Sequence, residues 1–178
     1  MTLNVKGCWL KSQLNSVNPV NTTPIKDYEM YSDDPGANRT TGSCLCGAVT
    51  YRVRGRLRDV IACHCSKCRR VHGHFSAYAS ARRENLDISG KEHLKWYRSV
   101  TDETPNVHRG FCSRCGSSLF WDPRDNDYVY ISAGTLDAPT GLKTVGNIWT
   151  SQAGDYYEIS DSLPAYEGSS HGELVGSK

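Results

Sequence analysis

Seven of the eight cysteines in this 178-residue chain fall into three tight clusters. They form one pair, one triplet and a second pair, at Cys44 and Cys46, at Cys63, Cys65 and Cys68, and at Cys112 and Cys115. Thiolates this dense hold a soft metal ion, and zinc is the usual occupant. Four sulfurs close a tetrahedral structural site, whereas three leave one coordination position open for chemistry. The spacing therefore predicts two zinc sites of different kinds, with Cys8 as a bystander.

The rest of the chain favours metal over disulfides. The first ten residues lack the apolar core of a secretory signal, and no stretch approaches eighteen apolar residues. We therefore expect a cytoplasmic protein without a membrane-spanning helix, in which thiols stay reduced. An odd number of clustered cysteines also suits metal better than the alternative, a framework of three disulfides with the other thiols left over.

Short alternating stretches between glycine, proline and polar turns indicate a mainly β fold. Predicted strands cover residues 49–54, 57–62, 75–81, 86–89, 94–98, 107–111, 117–121 and 128–133, with a turn or helical turn at 69–73 and a turn at 102–106. The strand at 57–62 would deliver the cysteine triplet to a sheet edge. Hydrophobic content is only 38%, so the fold would depend on metal sites more than on a large core. We expect one domain at 41–168, after an irregular extension at 1–40 and before a flexible tail at 169–178.

The net charge of +2 conceals an uneven distribution. Residues 52–70 carry seven basic side chains and one acid, whereas residues 121–178 carry three basic side chains and nine acids. The positive field around the cysteine triplet would attract a small anionic substrate. The acidic C-terminal part argues against a dedicated nucleic-acid binder. Arg52 and Arg54, which alternate with Tyr51 and Val53, are typical of a solvated strand face.

The two cysteine pairs are predicted to share one closed zinc site. Cys112 and Cys115, followed by Gly116, have the spacing of a zinc knuckle, and Cys44-x-Cys46 supplies two further sulfurs. The triplet then either keeps an open position or is closed by a histidine, for which the candidates are His64, His72, His74 and His108. His64 lies between two of these cysteines and is expected to point away from the metal.

Three stretches, GSCLCGAVTY, ACHCSKCRRVHG and RGFCSRCGSSLFW, resemble the glutathione-dependent formaldehyde-activating (GFA) family, whose domain is shared with centromere protein V. The resemblance covers roughly residues 42–167 and includes the later stretch EISDSLPAYEG. It implies a zinc-stapled, antiparallel, β-tent-like domain with two zinc ions. The structural zinc would be bound by Cys44, Cys46, Cys112 and Cys115, and a labile or catalytic zinc by Cys63, Cys65 and Cys68.

The resemblance also implies a carbon–sulfur lyase that adds the thiol of glutathione, its co-substrate, to formaldehyde, giving S-hydroxymethylglutathione in formaldehyde detoxification. Zinc on Cys63, Cys65 and Cys68 would favour the attacking thiolate. The candidates for binding the glutathione carboxylates are Lys67, Arg69, Arg70 and Arg109. His64 and His108 are candidate proton carriers. The partners would be a small thiol and an aldehyde, with no membrane, and the oligomeric state is open, a homo-oligomer included.

The chain departs from the family pattern in three places. The N-terminal extension is long, Asn147 precedes Ile148 where the family pattern has His-Ile, and Tyr156 or Tyr157 stands where the family tends to carry Trp. Two alternatives to an enzyme stay open. One is a glutathione- or zinc-binding protein without turnover. The other is a zinc-ribbon-like interaction module that uses the arginines at 52–58, and salt-dependent DNA binding would be its sign.

Overall fold

The computed structural model describes residues 39–98, 100 and 106–175, which form ten β-strands and one short α-helix. The strands are β1 (Arg39–Ser43), β2 (Thr50–Arg54), β3 (Arg58–Cys63), β4 (Ser76–Arg82), β5 (Leu86–Ser89), β6 (Leu94–Arg98), β7 (Val107–Cys112), β8 (Ser118–Pro123), β9 (Tyr128–Ser132) and β10 (Thr144–Ile148). Helix α1 spans Ser66–His72, and 3₁₀ turns cover Arg83–Asn85, Lys91–His93, Ala133–Thr135, Thr150–Gln152 and Glu173–Val175. The predicted mainly β fold is confirmed.

The strands form two sheets. The smaller has the order β1-β2-β5, and the larger has the order β10-β3-β4-β9-β8-β7-β6. Neighbouring strands are antiparallel except β10, which runs parallel to β3, with Thr144 opposite Val60. A parallel pair needs a long connection, and this one joins strands that lie far apart along the chain.

The core lies between the small sheet and one face of the large sheet. Val53 on β2, Phe120 on β8 and Ile131 on β9 have no exposed surface. The ring of Tyr51 packs edge-on against Phe120, with 5.3 Å between centroids, and its hydroxyl lies 2.7 Å from the hydroxyl of Thr135. Since strand side chains alternate between faces, the other face of the large sheet is left for the functional site.

The eight predicted strands lie within two residues of their observed bounds. On β2 the arginines are exposed while the residues between them are buried, so the solvated face predicted there is confirmed. Strands β1 and β10 were not predicted, because RTTGS and TVGNI carry turn-forming residues and few apolar ones. The prediction that β3 lies at a sheet edge was wrong, since β10 pairs along its outer side. Helix α1 begins at Ser66, earlier than the predicted turn.

Several predictions fall outside the part of the chain that the structure describes. These are the extension up to residue 38, Cys8 and most of the turn at 102–106. Flexibility at 169–178 stays a prediction, although Ser170 is buried and the Tyr166 hydroxyl donates to Glu173 over 2.8 Å. Among the described residues, no helix has the length and apolar character needed to span a membrane.

Candidate functional site

The four paired cysteines meet where the small sheet joins the large one. Cys44 and Cys46 follow β1, while Cys112 ends β7 and Cys115 lies in the turn after it. All four sulfurs lie within 4.8 Å of one another, with 3.6 Å between Cys44 and Cys46 and 3.9 Å between Cys46 and Cys112. Sulfurs bound at about 2.3 Å to a tetrahedral zinc lie about 3.8 Å apart. The donor set therefore fits zinc.

Each pair is held in a tight turn that a glycine completes. Gly47 donates its N–H to the carbonyl of Cys44 over 3.0 Å, and Gly116 donates to the carbonyl of Cys112 over 2.8 Å. Both glycines have positive φ, 71° and 76°, a backbone region that other residues enter only with strain. The two turns thus aim four sulfurs at one point.

Hydrogen bonds from Val49 and Ser117 favour the thiolate forms of Cys44 and Cys115. Burial and the contacts with the other three sulfurs, by contrast, raise the pKa of Cys46 to about 11. The N–H of Val49 donates to the sulfur of Cys44 over 3.2 Å. The hydroxyl of Ser117 lies 3.3 Å from the sulfur of Cys115, and this hydrogen bond lowers the pKa of Cys115 to about 5. Ser117 also accepts the N–H of Leu45 over 3.0 Å and so links the two pairs. Metals bind the thiolate form.

The triplet forms a second sulfur cluster at the junction of β3 and α1. The sulfurs of Cys63, Cys65 and Cys68 lie within 4.8 Å of one another. Cys65 caps the helix, because its sulfur accepts the backbone N–H of Cys68 over 3.4 Å. The helix stops at Gly73, which has the left-handed conformation. A helix of seven residues, capped by a sulfur and ended by a glycine, therefore fixes the triplet.

Three sulfurs this close favour one thiolate among them. Hydrogen bonding to the thiols of Cys63 and Cys68 lowers the pKa of Cys65, and the same contact with Cys65 raises the pKa of Cys63. The donors fit three corners of a tetrahedral zinc site. No histidine of the described residues joins this cluster, so the closed three-cysteine, one-histidine alternative gains no support.

A cavity of about 580 Å³ opens beside the triplet. The three cysteines, Ser66 and Lys67 line the end formed by β3 and α1. The rest of the wall holds cationic, aromatic, aliphatic and two neutral polar side chains, contributed by Arg58, Arg109, Tyr78, Trp121, Tyr130, Trp149, Ile61, Val107, Ile148, Gln152 and Ser169. No aspartate or glutamate of the described residues lines it. The cavity is therefore positively charged and partly apolar.

Part of this wall is one row of residues across the large sheet. Strand pairing places Arg58 opposite Ser80, Ser80 opposite Tyr130, Tyr130 opposite Trp121 and Trp121 opposite Arg109. Residues directly opposite each other share a face. The ring centroids of Trp121 and Tyr130 are 4.9 Å apart, and the Arg58 guanidinium lies 5.8 Å from the Tyr130 centroid. Two guanidiniums thus flank two aromatic rings.

Of the four candidates for binding carboxylates, two line the cavity and two do not. Lys67 and Arg109 line the cavity, and Arg109 is buried. Arg69 does not line it, because its Nε donates to the carbonyl of Gln152 over 3.0 Å. Arg70 is exposed on α1 and does not line the cavity either. Sequence reasoning missed Arg58 as a wall residue. Its side chain donates to the hydroxyl of Ser80 and the carbonyl of Tyr78.

His64 holds the cysteine loop in place and does not face the cavity. It is 2% exposed; its Nδ1 lies 2.9 Å from the Tyr157 hydroxyl and its Nε2 lies 3.0 Å from Oδ1 of Asn147. Its backbone N–H also donates to the carbonyl of Ile148. Asn147, which departs from the family pattern, and Tyr157, one of the two tyrosines where the family tends to carry Trp, therefore meet on one imidazole. His108, the other candidate proton carrier, contacts the carbonyl of Asn106 and does not line the cavity.

A tyrosine–histidine pair lies beside the triplet. Nε2 of His72 lies 2.9 Å from the hydroxyl of Tyr78, which lines the cavity. Burial raises the pKa of Tyr78, so that its hydroxyl stays protonated at neutral pH. Burial, with the nearby charge of Arg109, lowers the pKa of His72. The pair is a neutral hydrogen-bonding group at the cavity wall, which sequence reasoning did not identify.

Comparison with known proteins decides the family. The sequence profile described as "Glutathione-dependent formaldehyde-activating enzyme" matches residues 39–152, which include both sulfur clusters and every strand. The chain belongs to the glutathione-dependent formaldehyde-activating family. The GFA match begins at the first residue of β1 and ends just after β10, so the profile covers the cysteine clusters together with the row that lines the cavity.

Individual GFA relatives match over part of their length. A Halomonas elongata protein that bears the provisional name of glutathione-dependent formaldehyde-activating enzyme is 36% identical over 102 residues, which cover 54% of this chain and 65% of the relative. Proteins of the same provisional name from Aspergillus flavus and Aspergillus oryzae are 31% identical over 108 residues, covering 57% of this chain and 53% of theirs. This chain therefore spans between about half and two thirds of the curated relatives that it matches.

Among solved structures, the crystal structure of a Rhodobacter sphaeroides protein is similar to this GFA chain. The sequence identity is 30% and the TM-score is 0.46, and the match covers 55% of this chain and 88% of that one.

Proposed function

We propose that this protein is a carbon–sulfur lyase that adds the thiol of glutathione to formaldehyde, giving S-hydroxymethylglutathione. The observation that carries the proposal is the position of the three-cysteine cluster at the end of a cavity whose described lining has cationic residues and no carboxylates. In the reaction a carbon–sulfur bond forms, the carbonyl π bond opens, and the thiol proton ends on the former carbonyl oxygen.

The cysteines of the triplet would hold zinc, which when bound supplies a Lewis acid that favours the thiolate of an incoming thiol. The residues of the chain would position that thiol. Lys67 and Arg109 would bind its carboxylates, Lys67 through the charge of its ammonium group and Arg109 through the two parallel hydrogen bonds that a guanidinium can donate to a carboxylate. Arg58 would add positive charge from the far side of the aromatic rings. The cavity would thus select an anionic thiol.

Tyr78 would be the hydrogen-bond donor to the aldehyde oxygen. Its protonated hydroxyl can donate a hydrogen bond to the carbonyl oxygen as negative charge develops there. His72 would donate its Nε2–H to the Tyr78 oxygen through the 2.9 Å contact, which leaves the hydroxyl proton of Tyr78 for the substrate. The pair takes the role that the sequence had suggested for His64 and His108.

Exchange kinetics test this proposal, because the addition also proceeds without a catalyst. Two-dimensional exchange NMR on equilibrated glutathione and [¹³C]formaldehyde gives the rate of interconversion between thiol and adduct. We expect the zinc-loaded protein to raise this rate in proportion to its concentration and to saturate with formaldehyde. An unchanged exchange rate together with measurable glutathione binding would instead support the binding protein without turnover.

Replacing Arg109 by glutamine is expected to weaken glutathione binding about tenfold or more, since hydrogen bonds to charged groups contribute about 1.5–3 kcal/mol. Isothermal titration calorimetry measures the change. The matched control is Arg98→Gln, on the neighbouring strand, where the arginine is exposed and does not line the cavity. Equal affinities of the two variants for glutathione would remove Arg109 from the binding site.

A further inference from the structure

The aromatic part of the cavity has no counterpart in glutathione or formaldehyde. Glutathione is a polar tripeptide, and formaldehyde has one carbon. Yet Trp121 and Tyr130 lie at the middle of the row, and Trp149 and the aliphatic Ile61 and Ile148 line the same cavity. Covering apolar surface with polar groups gains nothing from the hydrophobic effect and desolvates those groups. Part of the wall therefore favours a ligand with an apolar portion.

The dimensions of the site leave room for such a portion. The row crosses five strands, from β3 through β4, β9 and β8 to β7, which at about 4.8 Å per spacing is roughly 19 Å between its terminal backbones. A cavity of about 580 Å³ falls in the range that encloses ligands of drug size. Glutathione would occupy part of this volume, and the single carbon of formaldehyde would add little to it.

We infer that the cavity accepts thiol adducts of aldehydes that carry an aromatic or branched apolar substituent, which packs against Tyr130 and Trp121. This inference rests on the proposed function for the thiol half of the ligand. The arginines at the two ends of the row attract the carboxylates, and the rings between them bind the substituent of the aldehyde. Aromatic rings favour an apolar partner by edge-on or offset contact.

Unreactive thioethers of glutathione test the apolar subsite without any chemical step. S-methylglutathione and S-benzylglutathione have the same peptide and differ only in the group attached to sulfur. We expect the full-length, zinc-loaded protein to bind the benzyl compound at least tenfold more tightly in calorimetry, because burial of the added ring removes apolar surface from water. Tryptophan fluorescence should change on benzyl binding, since Trp121 and Trp149 line the cavity.

A matched pair of variants on one strand tests whether the preference for the benzyl compound depends on the aromatic residues that line the cavity. Tyr130 and Tyr128 lie two residues apart on β9, and only Tyr130 lines the cavity. Tyr130→Ala is expected to reduce the preference for the benzyl compound to threefold or less, while Tyr128→Ala keeps it at tenfold or more. Trp121→Leu serves as the second cavity variant should Tyr130→Ala not fold, and its expected result is the same.

The outcomes separate this inference from the proposed function. Equal affinity for both thioethers, with glutathione still bound, overturns the apolar subsite and leaves the proposed function standing. Absence of binding by glutathione and by both thioethers overturns the two together. A benzyl preference that survives both cavity variants shows that the ring binds elsewhere and also overturns the inference.

Discussion

Replacing Cys112 by serine is expected to remove one of two bound zinc ions and to unfold the domain. Cys112 is fully buried at the end of β7, and its partners Cys44 and Cys46 follow β1. The four sulfurs therefore join the two sheets across about seventy residues of chain. A structural zinc contributes on the order of 10 kcal/mol, while a domain is stable by about 5–15 kcal/mol. Loss of one ligand would therefore remove most of the free energy of unfolding.

Thermal unfolding and elemental analysis of zinc would measure this effect. We expect one zinc per chain or fewer, no cooperative unfolding transition, and the same loss in wild-type protein after treatment with a strong chelator. The matched control is Ser113→Ala, in the same turn, where the serine is exposed. A Cys112→Ser protein that unfolds cooperatively with both zinc ions bound would contradict the assignment of this cluster.

Replacing Cys65 by serine should have the opposite balance of effects: full loss of the proposed activity with the fold retained. The triplet lies within one six-residue run, so it connects no distant parts of the chain. A serine hydroxyl can also replace the sulfur as the cap of α1, since serine is a preferred residue at that position. We expect zinc to fall from two ions to one, and the glutathione–formaldehyde exchange rate to fall to the uncatalysed value.

A second substitution at this position distinguishes the role of Cys65 as the helix cap from its proposed role as a metal ligand. Cys65→Ala removes both, so it should show the same zinc content and exchange rate as Cys65→Ser and be about 1 kcal/mol less stable. Ser66→Ala, at the next residue of the helix, serves as the control that keeps both zinc ions. Exchange activity above background in Cys65→Ser would separate catalysis from the triplet.

Much of the fold was readable from the sequence, because alternation along a strand is a local signal. The eight predicted strands follow from apolar residues at every second position, as in β2 and β9. Strand β10 carried no such signal, since TVGNI has only two aliphatic residues and is held by its pairing with β3. Nothing in the local sequence shows that a segment some eighty residues away will pair in parallel.

The two cysteine clusters were predictable for a different reason. Cysteines at these spacings form clusters in the sequence itself, and the structure gathers the same seven sulfurs into the same two groups. The cavity wall was not predictable, since Arg58, Tyr130, Trp121 and Arg109 lie on four strands and become a row only through pairing. Arg58 lies in the predicted strand at 57–62, but the sequence did not show that its side chain would be buried, and it is 2% exposed. Strand register decides which arginines reach the cavity.

The late position of β10 in the chain affects the order in which the protein matures during synthesis. The triplet is contained within six residues and can gather a metal ion as soon as that segment forms, because closing so short a loop costs little entropy. Ile148 and Trp149, by contrast, complete the cavity only after β10 has paired with β3, a contact between distant segments that forms slowly. A nascent or truncated chain that ends before residue 144 would therefore contain every clustered cysteine but lack Ile148 and Trp149, which complete the cavity wall.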